Sequence, residues 1–159
     1  MNHKAFSRIV LIMVDDDEDD CLLVEAALFE ADFKCNFYCV KDGPAVFDYL
    51  NRHGSYEDPE SSPRPDIILL DLNLPGMSGR EVLMKLKSDE RFRSIPVIIL
   101  TSSADDEDIS FCYDVGANTY IVKEPSFSGL LATTKVVKEY WLEIATLPPR
   151  GDFTARKRD

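Results

Sequence analysis

Five short apolar runs punctuate the chain, and after each comes a stretch whose apolar residues recur at helical spacing. Ile9 to Val14 is uninterrupted, as in a strand covered on both faces. Asp19 to Ala31 then places Leu22, Leu23, Ala26, Ala27 and Phe29 at spacings that predict a helix with one apolar face. Phe37 to Val40 predicts a second strand, ended by Asp42-Gly43, and Pro44 opens a helix to about Asn51 in the first-turn position that proline tolerates. The stretch 52–65 is rich in Pro, Ser, Gly and charge and predicts an exposed loop. Ile67 to Leu70 is the most apolar run, and Leu74-Pro75-Gly76 turns the chain after it. Ser78 and Glu81 have capping-box spacing ahead of a helix over Arg80 to Ser88. Val97 to Leu100 is the fourth strand, Ser103 and Asp106 are candidate caps of the next helix, and Gly116 ends it. Tyr120 to Val122 is the fifth strand. A long helix over Ser128 to Ala145, closed by Pro148-Pro149, completes the series.

Strand and helix therefore alternate five times without an internal repeat. That alternation predicts an α/β protein with a doubly wound, five-stranded parallel sheet and helices on both faces. The flavodoxin-like strand order 2-1-3-4-5 is the natural one for five such units, and it makes strands 1 and 3 neighbours whose carboxyl ends flank the switch point where such folds place ligands. The predicted domain spans residues 7–145. Residues 146–159 are expected to form an extended or disordered tail, too short for an attached output domain.

Charge changes this picture at one place. Asp15 to Asp20 is a run of six acids starting where the first strand stops. An acidic run is ordinarily a solvated face, and here Asp17 to Asp20 read as a solvated helix N-terminus favoured by the dipole. Asp15 and Asp16, however, fall at a strand's carboxyl end, opposite Asp71 at the end of strand 3. Two carboxylates about 4 Å apart repel by roughly 4 kcal/mol at an effective dielectric of 20. Mg²⁺ relieves such repulsion, taking one or two carboxylates plus waters and a phosphate. The ends of strands 4 and 5 supply Thr101, a hydroxyl donor, and Lys123, an ammonium. Alone, each residue has an ordinary use: Asp15 or Asp16 as a helix cap, Asp71 as turn chemistry, Thr101 as a cap and Lys123 as a surface lysine. Four strand ends carrying this set together point to phosphoryl transfer, with Asp71 as the nucleophile.

The net charge of −11 disfavours nucleic acid as a direct partner. The only basic cluster is Arg156-Lys157-Arg158, too small to imply DNA binding. No apolar run is long enough to span a bilayer and no signal-peptide pattern opens the chain, so a cytoplasmic location is expected, without membrane partners. In that setting Cys21, Cys35, Cys39 and Cys112 are expected as reduced, partly buried thiols. Cys35 and Cys39 lack the further ligands a metal site needs.

The chain resembles the CheY-like receiver domain of two-component response regulators over about residues 7 to 145. The resemblance rests on Val14-Asp15-Asp16, on Leu70-Asp71-Leu72-Asn73-Leu74-Pro75-Gly76-Met77-Ser78-Gly79, on Leu100-Thr101-Ser102 and on Tyr120-Ile121-Val122-Lys123. It implies that Asp71 accepts a phosphoryl group from a histidine kinase. Asp16, Asp71 and the Asn73 carbonyl would ligate Mg²⁺, with Asp15 reaching it through water, and Thr101 and Lys123 would bind phosphoryl oxygens. Tyr120 matches an aromatic switch that turns inward as Thr101 moves toward the phosphate. The bland alternative for Tyr120 is a strand residue with its hydroxyl in water. Such a protein assists its own phosphorylation and dephosphorylation and is not a turnover enzyme. One departure stands out: the family's usual Lys-Pro pair, commonly cis, is Lys123-Glu124-Pro125 here, which loses or displaces that feature and adds a negative charge beside the site.

The loop ending Ser62-Pro63-Arg64-Pro65-Asp66 and the closing Tyr140-Trp141-Leu142 with Thr146-Leu147-Pro148 resemble the small regulators that serve phytochrome histidine kinases. That likeness implies a stand-alone switch and a homodimer through the fourth helix, fifth strand and fifth helix. In the last helix Leu130, Val137 and Ile144, with Thr134 and Trp141 between them, make a stripe that the core needs in any case. Val136, Tyr140 and Trp141 broaden it toward a possible partner face. Other classes fit less well. A haloacid-dehalogenase-like phosphatase expects a second acid where Asn73 stands, together with a cap insertion. A flavin carrier needs a Ser/Thr/Gly-rich phosphate loop where the acids lie. A non-phosphorylated pseudo-receiver acting as a protein-binding module would not require the intact set Asp15, Asp16, Asp71, Thr101 and Lys123.

Overall fold

A computed structural model describes residues 8–150. Five parallel strands, β1 (Ile9–Val14), β2 (Cys35–Val40), β3 (Ile67–Leu70), β4 (Val97–Thr101) and β5 (Thr119–Val122), form one sheet in the order β2-β1-β3-β4-β5. The expected order is the observed one. β3 and β4 are buried throughout and β1 nearly so, as their unbroken apolar composition requires of strands covered on both faces.

The helices are α1 (Glu18–Glu30), α2 (Gly43–Asn51), α3 (Gly79–Ser88), α4 (Asp106–Val115) and α5 (Phe127–Lys138). Alternate strand residues divide the core in two. Ile12, Val14, Ile68, Leu70, Val97 and Ile99 meet α2, α3 and α4 through residues such as Val46, Leu83 and Cys112. Leu11, Met13, Ile67, Leu69, Ile98 and Leu100 face the other way, toward Val24 and Leu28 of α1 and Trp141 beyond α5.

Local chemistry sets the element ends. Asp17 caps α1 by accepting from the Asp19 N–H, Asp42 caps α2 from Ala45, and Ser78 caps α3 from Glu81, as the capping-box spacing predicts. Pro44 sits in the first turn of α2 and Gly116 ends α4. Asp105, rather than Ser103 or Asp106, caps α4, accepting from the Glu107 N–H; Ser103 lies two residues further out, where its hydroxyl accepts from the Asp105 N–H at 3.3 Å and donates to the Asp108 carboxylate at 2.7 Å. β2 begins two residues before the expected Phe37, since Cys35 and Asn36 pair with Ile9 and Val10. The final helix is not uniform: after Lys138 it widens into a π-helical segment, Glu139–Ile144.

One further feature departs from the sequence reading. Cys21 and Cys39 are joined by a disulfide, with Cα atoms 6.5 Å apart, while Cys35 and Cys112 are free. The expectation of four reduced thiols is corrected by packing. Cys39 is in register with Met13, on the face of the sheet that α1 covers, and Cys21 lies on the buried side of α1. At the opposite end of the sheet, residues 146–150 lie against the body. Leu147 packs on the second core cluster, and Arg150 donates to both oxygens of the buried Asp66 at 3.0 and 2.6 Å and to the Arg8 carbonyl at 2.7 Å. Asp66 in turn accepts from the Val10 N–H at 2.7 Å. The basic cluster Arg156-Lys157-Arg158 lies outside the described residues. Among the described residues no helix is long and apolar enough to cross a membrane.

Candidate functional site

The sheet register brings the predicted residues to one edge. Val14 pairs with Leu70, Leu70 with Ile99, and Thr101 with Val122, so the chain leaves β1, β3, β4 and β5 side by side. Backbone bonds continue past the strands and fix that edge. The Asp15 N–H donates to the Val40 carbonyl, the Asp71 N–H to Val14 and the Lys123 N–H to Thr101, at 3.0, 3.0 and 2.8 Å.

Asp71 sits at the centre and is buried. Its Oδ1 accepts from the Thr101 hydroxyl at 2.8 Å and from the Asn73 N–H at 3.1 Å, while its Oδ2 accepts from the Lys123 ammonium at 3.1 Å. Asp15, also buried, accepts from the Asp17 N–H at 2.9 Å through Oδ1 and from Lys123 at 2.8 Å through Oδ2. Asp16 faces solvent. One oxygen from each of Asp15, Asp16 and Asp71 lies within 4.8 Å of the others. This triangle suits a hard divalent cation that binds carboxylate oxygens and keeps several waters.

Burial pushes the Asp15 carboxyl above the usual carboxylate range, against the pull of the Lys123 and Asp17 hydrogen bonds; the Asp71 charge adds to the rise. Burial also works against the ammonium of Lys123, but its bonds to Asp15 and Asp20 and the charge of Asp71 outweigh it and hold the group above the ordinary lysine range. Lys123 is therefore a fixed cation at any physiological pH.

Tyr120 is half-buried, and its hydroxyl donates to the Ser103 carbonyl at 2.9 Å in the loop after β4, not to water. The same loop is held by Ser103 on Asp108 and by Arg80, which pairs with Asp108 at 3.4 Å and stacks on the Phe111 ring at 4.2 Å. No cis peptide occurs among the described residues, the Glu124-Pro125 bond included. The Glu124 side chain lies over Gly129 in the first turn of α5, where the helix dipole favours a carboxylate, rather than among the acids.

One residue was missed by the sequence reading. Asp20, expected in a solvated helix start, accepts from Lys123 at 2.7 Å. Nothing local separates it from Asp19; only the placement of α1's first turn against the end of β5 does. Close approach of backbone also shapes the site. The Gly79 N–H donates to the Leu72 carbonyl at 3.0 Å, and a Cβ at Gly79 would lie 2.2 Å from the Asp71 carbonyl oxygen.

The profile of the response regulator receiver domain matches residues 10–135. The chain belongs to that family. Response regulator Rcp1 of Synechocystis is 36% identical over 148 residues, covering 93% of this chain and 99% of Rcp1. Among solved structures, the phosphorylated cyanobacterial phytochrome response regulator RcpA superposes with a TM-score of 0.82 at 38% identity, over 90% of this chain and 100% of RcpA. The Mn²⁺-bound form of Rcp1 gives 0.79 at 35% identity, over 89% and 99% of the two chains. The flavodoxin-like receiver fold is thus shared with RcpA and Rcp1 across nearly their whole length.

Proposed function

We propose that this chain is a phosphoacceptor switch: Asp71 takes a phosphoryl group from a histidine kinase, and the output is a change in the protein's own surface. The observation that carries this reading is the buried carboxylate of Asp71, set in a metal-competent acid triangle with Asp15 and Asp16 and bonded to the Thr101 hydroxyl and the Lys123 ammonium. An Asp71 oxygen attacks the phosphorus of a phosphohistidine. The P–N bond breaks, its electron pair returns to the imidazole, and an aspartyl-phosphate forms. Thr101 and Lys123, both already bonded to Asp71, are within reach of the new phosphoryl oxygens and supply donor and charge there. Asp15, Asp16, Asp71 and the Asn73 carbonyl would hold Mg²⁺, which when bound neutralises charge between the carboxylate and the incoming group. Hydrolysis of the acyl phosphate by water returns Asp71, so the protein resets itself and turns over no external substrate. Tyr120, held on Ser103 beside Thr101, links the site to the surface of α4 and β5.

The likeness to RcpA, a cyanobacterial phytochrome response regulator, supports a phytochrome-type kinase as the donor. An apolar groove of about 540 Å³ on the α5 side of β5, lined by Ile98, Ile121, Ala132, Val136, Tyr140 and Trp141, supports a homodimer over α4-β5-α5. Trp141 itself is buried and belongs to the core; Val136, Tyr140 and Ile144 are the exposed apolar groups there.

Incubation with a small phosphodonor and Mg²⁺, followed by intact mass spectrometry, tests the reading. One phosphoryl addition is expected, abolished by Asp71→Asn and by chelation. An unmodified wild-type mass would favour a pseudo-receiver that only binds a partner. A strict monomer by light scattering, with and without phosphorylation, would remove the dimer.

A further inference from the structure

Lys123 offers three ammonium hydrogens, and three carboxylates take them: Asp20 at 2.7 Å, Asp15 at 2.8 Å and Asp71 at 3.1 Å. Two of these acceptors also belong to the acid triangle that suits a divalent cation; Asp20 does not. The remaining acids of the run have other occupations. Asp17 caps α1, while Asp16, Glu18 and Asp19 face solvent.

A cation and an ammonium compete for the same two carboxylates, Asp15 and Asp71. When a metal draws those two carboxylates, Lys123 loses two favourable partners and gains a repulsive neighbour. Asp20 is then the one anionic group in contact with the ammonium that the metal does not claim. It can keep Nζ beside Asp71, near where a phosphoryl oxygen would arrive, instead of letting the side chain swing into solvent or stay locked on the metal's ligands. We infer that Asp20 is a positioning residue, which draws Lys123 off the Asp15–Asp71 pair to admit the metal and retains it for the phosphoryl group. The inference rests on the phosphoacceptor reading of Asp71 and assigns Asp20 a part in it through Lys123.

The experiment is a double-mutant cycle on Mg²⁺ affinity by calorimetry, using the full chain as wild type, Asp20→Asn, Lys123→Met and the double variant. With Lys123 present, Asp20→Asn frees the ammonium to press on Asp15 and Asp71, and Mg²⁺ affinity falls. In the Lys123→Met background the same change removes only a nearby charge. The expected loss is larger with Lys123 present by on the order of fivefold, the lower end of measured site couplings. Asp20→Glu, which keeps the carboxylate, restores part of it. Equal losses in the two backgrounds would mean that Asp20 acts only through its own charge, and would overturn the inference.

A second arm needs no metal. In the nitrogen-15 spectrum of the lysine ammonium groups, metal-free wild type should show protected Lys123 protons, and Asp20→Asn should lose part of that protection, Asp15 and Asp71 remaining as acceptors, while its urea midpoint stays near wild type. Unchanged protection would also overturn the inference. If wild type fails to bind Mg²⁺ at all, the phosphoacceptor reading fails, while the ammonium spectrum still tests the Asp20–Lys123 contact separately.

Discussion

Gly79→Ala should damage the phosphoacceptor without touching any side chain of the site. The added Cβ would stand 2.2 Å from the Asp71 carbonyl oxygen and 2.5 Å from the Leu72 Cα, whereas real Cβ atoms essentially never come within 3.0 Å of a neighbour. Something must give by about 0.8 Å, the shortfall between 2.2 and 3.0 Å. α3 resists, because Val82, Leu83 and Leu86 are fully buried and Ser78 caps the helix on the Glu81 N–H. The Asp71-Leu72 segment is left to move, and the carboxylate moves with it. Overpacking of this kind costs about 1–3 kcal/mol. At a urea dependence of about 2 kcal/mol per molar, a loss of about 2 kcal/mol lowers the unfolding midpoint by about 1 M. A displacement near 1 Å at a reacting atom also slows transfer by up to about a hundredfold, read as the rate of phosphorylation by a small donor. Gly76→Ala is the control. It lies in the same loop at φ +70° with open space around it, so it brings backbone strain of about 1–2 kcal/mol but no wedge against Asp71. A Gly79→Ala protein with wild-type midpoint and rate, or one no worse than Gly76→Ala, would refute the reasoning.

Two other expectations follow from packing. Burial pushes the thiols of Cys35 and Cys112 up to about 11, with the Asp108 charge adding to the rise at Cys112 and Arg8 and Arg80 opposing it. Because the thiolate is the reactive form, alkylation at pH 8 should run on the order of a hundredfold below that of an ordinary cysteine and climb as pH rises toward 11. Native protein should resist alkylation and weigh two hydrogens less than its fully reduced form; reduction should expose Cys39 first and lower stability by about 3 kcal/mol for a loop of 18 residues. An unchanged mass on reduction would exclude the bond. Arg150→Ala should leave the buried Asp66 carboxylate with the Val10 N–H as its one partner among the described residues and cost about 1–3 kcal/mol in urea unfolding, the low end being favoured because the guanidinium is part-exposed. No change in midpoint would show that the Arg150–Asp66 pair contributes nothing to stability.

The parts of the site that were legible in the sequence share one property: each marks the end of a strand. Asp15, Asp71, Thr101 and Lys123 follow apolar runs whose period and burial are local signals, and the alternation of elements supplied their order. What stayed hidden depends on contacts between distant segments. Asp20 looks like its acidic neighbours until α1 is set against β5. Cys21 and Cys39 look like independent thiols until α1 lies over β2. The change from α to π geometry after Lys138 has no proline or glycine to announce it, and the cap at Asp105 was obscured by a better-looking Ser103, which lies just outside the helix and bonds Asp105 and Asp108 instead. Tyr120 was legible as a position, while its hydrogen bond to Ser103 belongs to tertiary structure.

Arg150 grips both Asp66 and the backbone of Arg8, so the described chain closes on itself at the pole of the sheet remote from the acids. Topologically the molecule is nearly a ring. A short linker from 150 to 8, with new ends cut in the exposed stretch near Asp58 to Ser61, would yield a circular permutant whose strand-end chemistry is untouched. For the same reason a fluorophore or surface tether attached at residue 8 or 150 would sit on the far side of the sheet from the acids and leave the strand-end site clear.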